Sequence, residues 1–289
     1  MPDYAFETVD VFTNERFGGN PLAVFLDARG LSTEMMQALA REMNLSESTF
    51  VLPPSDPANT AKVRIFTPGA EMPFAGHPMV GTGWLLARKG LARDGRIQLE
   101  VPAGLVEIEV DERGAKVSAP RALVVGQEAP VAEVAACLGL TPGDIVTDVH
   151  GPLVAGVGAS FIFAHVASDA LARATPDVSG FRRLEAILPP LDPTVSIHCY
   201  VREGATLRTR MFAPLDGILE DPATGSANAA LAALLVHLDG VEAAEFAITQ
   251  GVEMGRPSAL VATARRVADG VRATIAGSCV PMLSGLAHL

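Results

Sequence analysis

Positive charge is scarce in this chain. Its 22 Lys and Arg face 33 Asp and Glu, for a formal net charge of −11 and a pI near 5.0. Such a surface repels a phosphate backbone, so no nucleic-acid partner is expected; a small anionic substrate in a local cationic pocket stays compatible. Cysteine is scarce too. Cys137, Cys199 and Cys279 are odd in number and match no disulfide framework, which points to a reducing compartment. The opening stretch MPDYAFETVD lacks a basic-then-apolar leader pattern, and the longest apolar run, ANAALAALLV from Ala227, is too short for a bilayer. A soluble, cytoplasmic protein with no membrane partner is expected. HExxH, CxxC, Walker and GxGxxG motifs are all missing, so neither a metal nor a nucleotide cofactor is expected. His198 and Cys199 are neighbours on an expected strand and point to opposite faces, a poor arrangement for chelation.

What is present is a chain of 289 residues, 49% hydrophobic, enough for two domains of roughly 100–150 residues each. Most of it reads as short strands between Gly, Pro and Asp turns. FETVDVFT, from Phe6, alternates with period two. RIQLEVPAGLVEIEVDERGAKVSAP breaks at Gly104 and Gly114 as two hairpins do, and GVRATIAGSCVPML repeats that style near the end. Helices are few. LSTEMMQALAREMN has Ser32 or Thr33 as its cap. PMVGTGWLLARKG is expected to start with Pro78 at the first helical position and to stop at Gly90. ANAALAALLVHLDG is expected to start after Ser226; apolar on nearly every side, it should be buried all round. A short helix is expected from about Pro130 to Leu138.

One stretch is written twice. EMPFAGHPMVGTGWLL (Glu71–Leu86) and EDPATGSANAALAALL (Glu220–Leu235) align at a constant offset of 149 residues, which pairs Glu71 with Glu220, Pro73 with Pro222 and Gly76 with Gly225. Just upstream, RIFTP from Arg64 matches RMFAP from Arg210. A repeat this long signals a duplicated domain and not a solenoid. Each copy carries a glycine, Gly76 or Gly225, at an expected helix start, where unpaired amides and the helix dipole favour an anion. A single such turn is most often a plain cap. Two matched turns, with His77 and Asp221 beside them, suit a carboxylate or a developing enolate-type charge held between opposed helix starts. The duplicated glutamates suggest a structural role, each bonding across its own turn; Arg64 and Arg210 read as strand-surface residues.

AGHP (Ala75–Pro78) and EDPATGSANAAL (Glu220–Leu231) resemble the signature turns of the PhzF-like, phenazine-biosynthesis isomerase family. FTNERFGGNPLAVF, MNLSESTFV and QGVEMGRPS resemble further motifs of it, in the expected order over essentially the whole chain. The resemblance implies the α+β fold of diaminopimelate epimerase: two pseudo-symmetric domains, each a barrel-like, mostly antiparallel sheet around a central helix. The expected division is residues 1–120, completed by 277–289, and residues 121–276. It also implies a homodimer. Two-thiol members of that superfamily carry a cysteine before each helix-start glycine. Here those positions are Ala75 and Thr224, neither able to act as a proton carrier near neutral pH.

By resemblance the proton carrier is Glu47. Its strand, LSESTFVLPP, is apolar on both faces, so a carboxylate there loses hydration and its proton affinity rises. His77 and Asp221 are expected to orient the substrate and tune Glu47. Gly76, Gly225 and Ser226 are expected to donate to a substrate carboxylate, with Asn20 at the rim. The resemblance implies a cofactor-independent isomerase that shifts a proton and a double bond in a small carboxylate-bearing substrate, as in the isomerisation of trans-2,3-dihydro-3-hydroxyanthranilate. The alternatives are a one-base epimerase or racemase of an amino or hydroxy acid, and a non-catalytic binding protein with this fold.

Overall fold

A computed structural model describes residues 3–191 and 194–289; Met1 and Pro2 of the acidic opening stretch lie outside the described residues. The chain divides into two compact units, one running to Ser118 and resuming over Ala276–Leu289, the other spanning Ala119–Ile275.

In the first unit the elements are β1 (Asp3–Val11), β2 (Asn20–Phe25), α1 (Thr33–Met43), β3 (Glu47–Leu52), β4 (Ala61–Phe66), β5 (Glu71–Met72), α2 (Gly76–Arg88), β6 (Arg96–Val101), β7 (Gly104–Val110) and β8 (Gly114–Ser118). In the second they are β9 (Val124–Glu128), α3 (Val131–Cys137), β10 (Leu153–Gly156), β11 (Ser160–His165), α4 (Ala170–Arg173), α5 (Val178–Ile187), β12 (Ile197–Glu203), β13 (Thr206–Ala213), β14 (Ile218–Asp221), α6 (Gly225–Asp239), β15 (Ala243–Gln250) and β16 (Ser258–Val267). The final strand, β17 (Gly270–His288), begins in the second unit and ends in the first.

The first unit closes on itself. Its pairings run β1–β2–β3–β4–β6–β7–β8–β17 and return to β1, a ring of eight strands. Only β2–β3 and β4–β6 are parallel, because a helix joins each of those pairs: α1 in the first case and α2 in the second. Helix α2 packs against β1, β2, β3, β6, β7 and β8, and every residue from Gly76 to Leu86 is buried. Helix α1 packs on β3 and β4. Ser32 caps it by accepting the Met35 amide, and Asn44 closes it in the left-handed conformation, φ 50°. Its Met36 and Leu39 sit on a layer in which Phe25 stacks on Phe50 at 4.7 Å and Phe50 meets Phe66 edge-on at 5.5 Å. Strands β2 and β3 are therefore buried on both faces, which explains the apolar runs Leu22–Phe25 and Phe50–Leu52.

The second unit repeats the plan. Strands β10–β11–β12–β13–β15–β16 follow in order, with parallel pairs β11–β12 and β13–β15 again joined through helices. Helix α6 is buried from Ala227 to Val236 and packs on β10, β11, β15 and β16. A second core, built from Val134, Leu138, Ile162, Leu171, Phe181 and their neighbours, lies under α3, α4 and α5.

Two helix starts differ from expectation. Helix α2 begins at Gly76, so Pro78 is its third residue; the first turn needs no amide there, and Pro is accommodated. Helix α6 begins at Gly225, so Ser226 lies within it. Gly114 has a different constraint. A Cβ there would lie 2.0 Å from the carbonyl oxygen of Gly277, backbone against backbone, where β8 meets β17. Neither side can swing away as a side chain would. Gly114→Ala is expected to cost about 2–4 kcal/mol, read as a lowered urea midpoint at unchanged m-value.

Candidate functional site

In the first unit Glu47 opens β3, with its Cα opposite Leu22 of β2. The strand alternates, so Glu47 shares a face with Thr49, whose hydroxyl hydrogen-bonds Thr82 of α2 at 2.9 Å. That face looks onto the central helix. The Glu47 side chain is 14% exposed, and its Oε2 lies 3.4 Å from Nδ1 of His77. Asn20, the first residue of β2 and fully buried, places its Nδ2 3.4 Å from the same ring nitrogen. Glu47, His77, Asn20 and Gly76 thus come together at one end of α2.

Burial pushes the His77 imidazole down from 6.5 to about 3, so near neutral pH it carries no charge. Its Nε2 has no hydrogen-bond partner among the described residues. Nδ1 serves one neighbour at a time. Protonated, it donates to Glu47; bare, it accepts from Asn20 or from a protonated Glu47. Helix α2 has no side-chain cap at Ala75, and the first-turn amides of Gly76 and His77 have no acceptor within the helix.

The second unit answers with a denser polar cluster. Asp221 ends β14, and Thr224 precedes α6. The Thr224 hydroxyl donates to Asp221 Oδ2 at 2.6 Å, and the Thr224 amide donates to Gln250 Oε1 at 3.1 Å. Gln250 Nε2 donates to the Asp221 carbonyl at 2.8 Å and to Thr224 Oγ1 at 3.1 Å. Asn228, one turn into α6, donates from Nδ2 to Gln250 Oε1 at 2.7 Å and to the Thr224 carbonyl at 3.0 Å. His198 of β12 reaches Asn228 Oδ1 at 3.1 Å. Beyond Gln250 the chain turns at Gly251, φ 76°, where a Cβ would lie 2.6 Å from the Pro222 carbonyl. Ser258 Oγ donates to that same carbonyl at 2.9 Å, which pins the turn carrying Asp221 and Thr224. Gly225 and Ser226 follow at the start of the helix.

His198 is wholly buried, and its imidazole is held down at about 4 by that burial, against a smaller upward pull from Asn228. Unfolded, His77 and His198 each bind a proton below about 6.5. Folded, they stay neutral to about 3 and about 4. Between those limits the unfolded chain holds more protons, so acidification favours unfolding. The urea midpoint is expected to fall from pH 7 to about pH 5, and His198→Gln is expected to flatten that fall.

The duplicated arginines and glutamates are partners of one another. Arg64 grips Glu71 through Nε at 2.7 Å and Nη2 at 2.6 Å; Arg210 grips Glu220 through the same two nitrogens, both at 2.8 Å. Each guanidinium also lies over a phenylalanine two residues on, Phe66 at 5.0 Å and Phe212 at 4.9 Å. Arg210 is not the surface residue expected from its strand: its side chain is 7% exposed, and Nη1 donates to the carbonyls of Leu171 and Ala174.

Sequence reasoning singled out neither Gln250 nor Asn228, nor Thr209 of β13, whose hydroxyl lies 3.3 Å from Asn228 Oδ1 and 3.4 Å from Gln250 Oε1, and it weighed His198 only as a metal ligand. One signal was there, since Asn228 is the only polar residue between Ser226 and His237 in an otherwise apolar helix. No helix among the described residues is long and apolar enough to cross a membrane.

A family model of phenazine biosynthesis-like proteins matches residues 9–285. An uncharacterised isomerase of Mesorhizobium japonicum is 40% identical over 265 residues, covering 86% of each chain. The trans-2,3-dihydro-3-hydroxyanthranilate isomerase of Pseudomonas aeruginosa is 36% identical, covering 99% of this chain and all of that one. A crystal structure of a PhzF-family phenazine biosynthesis protein from Bacillus anthracis superposes over the full length of both chains with a TM-score of 0.88 at 26% identity. With two units of one plan, each a sheet wrapped around a buried helix, and these relatives along its whole length, the chain belongs to the phenazine biosynthesis-like (PhzC–PhzF) family, with the diaminopimelate epimerase-like fold.

Proposed function

We propose that this protein is a cofactor-independent isomerase that moves a proton between two carbons of a small, unsaturated carboxylate, with Glu47 as the proton carrier. Ionised Glu47 takes a proton from an acidic C–H. The electron pair left behind spreads through the conjugated system toward the carboxylate. Protonated Glu47 then returns the proton to another carbon of that system, and the double bond moves. The helix-start amides of Gly76, Gly225 and Ser226 serve as donors to the charge that builds up, and Asp221 orients the substrate.

The observation that carries this reading is the Glu47–His77 contact of 3.4 Å. A neutral imidazole donates to the carboxylate and accepts from the carboxyl, so it suits both states of a group that must hold a proton and release it. Names of relatives support an isomerase, and trans-2,3-dihydro-3-hydroxyanthranilate is the substrate to try first. Alignment of the two copies puts Ser196 where the first unit has Glu47, since Ser48 faces Phe66 and Ile197 faces Phe212. With Ala75 and Thr224 at the cysteine positions and Ser196 at the place of Glu47, none of these aligned positions of the second unit carries a base, which disfavours a racemase with two symmetric bases. Assembly as a homodimer is part of the proposal and is checked by sedimentation.

The test is turnover of that compound in heavy water, followed by proton NMR. Deuterium at a new carbon with a shifted double bond supports the isomerase. Exchange with inversion at one centre and no shift supports a one-base epimerase. Binding with no exchange by any unsaturated carboxylate tried would leave a binding protein.

A further inference from the structure

The directions of the hydrogen bonds from Thr224 and Gln250 to Asp221 follow from groups that can act in only one sense. The Thr224 amide only donates, so the oxygen of the Gln250 side chain must face it. The Asp221 carbonyl only accepts, so the Gln250 nitrogen faces that. Both assignments agree, and together they fix the orientation of the Gln250 amide. The Thr224 carbonyl likewise demands the nitrogen of Asn228, which leaves Oδ1 toward His198 and puts the imidazole proton on Nε2. Thr224 Oγ1 already receives a proton from Gln250 Nε2, so its own proton has one good acceptor nearby, Asp221 Oδ2 at 2.6 Å. That distance suits a hydroxyl donating to a charged oxygen.

We propose that Gln250, acting through Thr224, is a positioning residue that fixes Asp221 as a hydrogen-bond acceptor, so that Asp221 receives a donor group of the substrate, a hydroxyl or an amine, and gives up no proton itself. In its part about the substrate this inference rests on the reading of Asp221 given above; the hydrogen-bond direction does not. The first unit has no equivalent device. At the matching positions, 149 residues earlier, stand Met72, Ala75 and Met79 in place of Asp221, Thr224 and Asn228. The two copies of the turn have therefore divided their work. One lies beside the carboxyl that carries the proton; the other holds a locked acceptor beside its helix start. Gln250, which links Asp221, Thr224 and Asn228, is the hub of that lock.

Infrared difference spectroscopy on protein labelled with 13C-aspartate tests the direction without any substrate. At neutral pH, wild type minus Asp221→Asn is expected to show an ionised carboxylate band pair and no protonated carboxyl band. Thr224→Val, close in shape to the original, is expected to shift that band pair, and Thr224→Ser to restore it. Gln250→Glu, which puts an acceptor where Nε2 donates, is expected to produce a shift as well. A protonated carboxyl band at Asp221, or an unshifted pair in Thr224→Val, overturns the proposal. Turnover of trans-2,3-dihydro-3-hydroxyanthranilate separates the two layers. If Asp221 meets the substrate, Thr224→Val raises KM about tenfold with a smaller change in kcat, and Thr224→Ser recovers it. A shifted band pair with unaltered kinetics upholds the lock and overturns the substrate role of Asp221 in the proposed function.

Discussion

Glu47→Gln is expected to lower proton exchange and isomerisation by at least about 10³-fold while leaving the fold and substrate affinity nearly intact. Glutamine keeps the shape and the polar contact to His77, so the ring loses little. What disappears is the ability to take a proton from carbon. The expected pattern is a fall in kcat with little change in Kd, measured by single-turnover NMR in heavy water and by calorimetry with the unreactive variant. Serine at the matching position of the second unit, Ser196, has no basicity to substitute for it. Retention of more than about a tenth of the wild-type exchange rate would remove Glu47 as the carrier and leave the family's fold without the proposed chemistry.

Arg210→Ala is expected to destabilise the second unit by about 3–5 kcal/mol, the range for breaking one side of a buried ion pair. The change strands more than one group. Glu220, only 15% exposed at its side chain, loses both bonds to the guanidinium, and the carbonyls of Leu171 and Ala174 lose their shared donor. Arg64→Ala removes the matching pair in the first unit, where the partners are 19% and 31% exposed and water can take over. About 1 kcal/mol is expected there. Urea denaturation of the two variants under one condition measures the contrast. Equal losses would mean that burial does not decide the strength of these duplicated pairs.

The sequence made the local architecture legible where a feature repeats at short range. Alternation and the breaks at Gly104 and Gly114 mark the β6–β7–β8 meander, and Ser32 marks the start of α1. The duplicated turn was readable because two independent copies agreed. Helix starts were two residues late at α2 and about two late at α6, because Pro78 and Ser226 are good start residues that here follow a glycine already in the helix. Function was legible only in part. Glu47 came from family resemblance, and its strand pattern added only that both faces of the strand are apolar. The Arg–Glu pairs were half seen: duplication flagged all four residues, but nothing local says that an arginine on β4 or β13 meets a glutamate across the turn. Gln250, Thr209 and His198 were missed because their partners are 19 to 41 residues away, on other strands and on α6. Such polar clusters are written in tertiary contacts, not in spacing.

The strand β17 also makes closure of the first ring a long-range event. The ring of the first unit is completed by residues near the end of the chain: Asp3 pairs with His288 and Val11 with Cys279. The second unit lies wholly within Ala119–Ile275. Pairing β1 with the end of β17 closes a loop of most of the chain, at a higher entropic cost than any pairing made within Ala119–Ile275. The half carrying Glu47 is thus the one whose sheet depends on the pairing of greatest sequence separation.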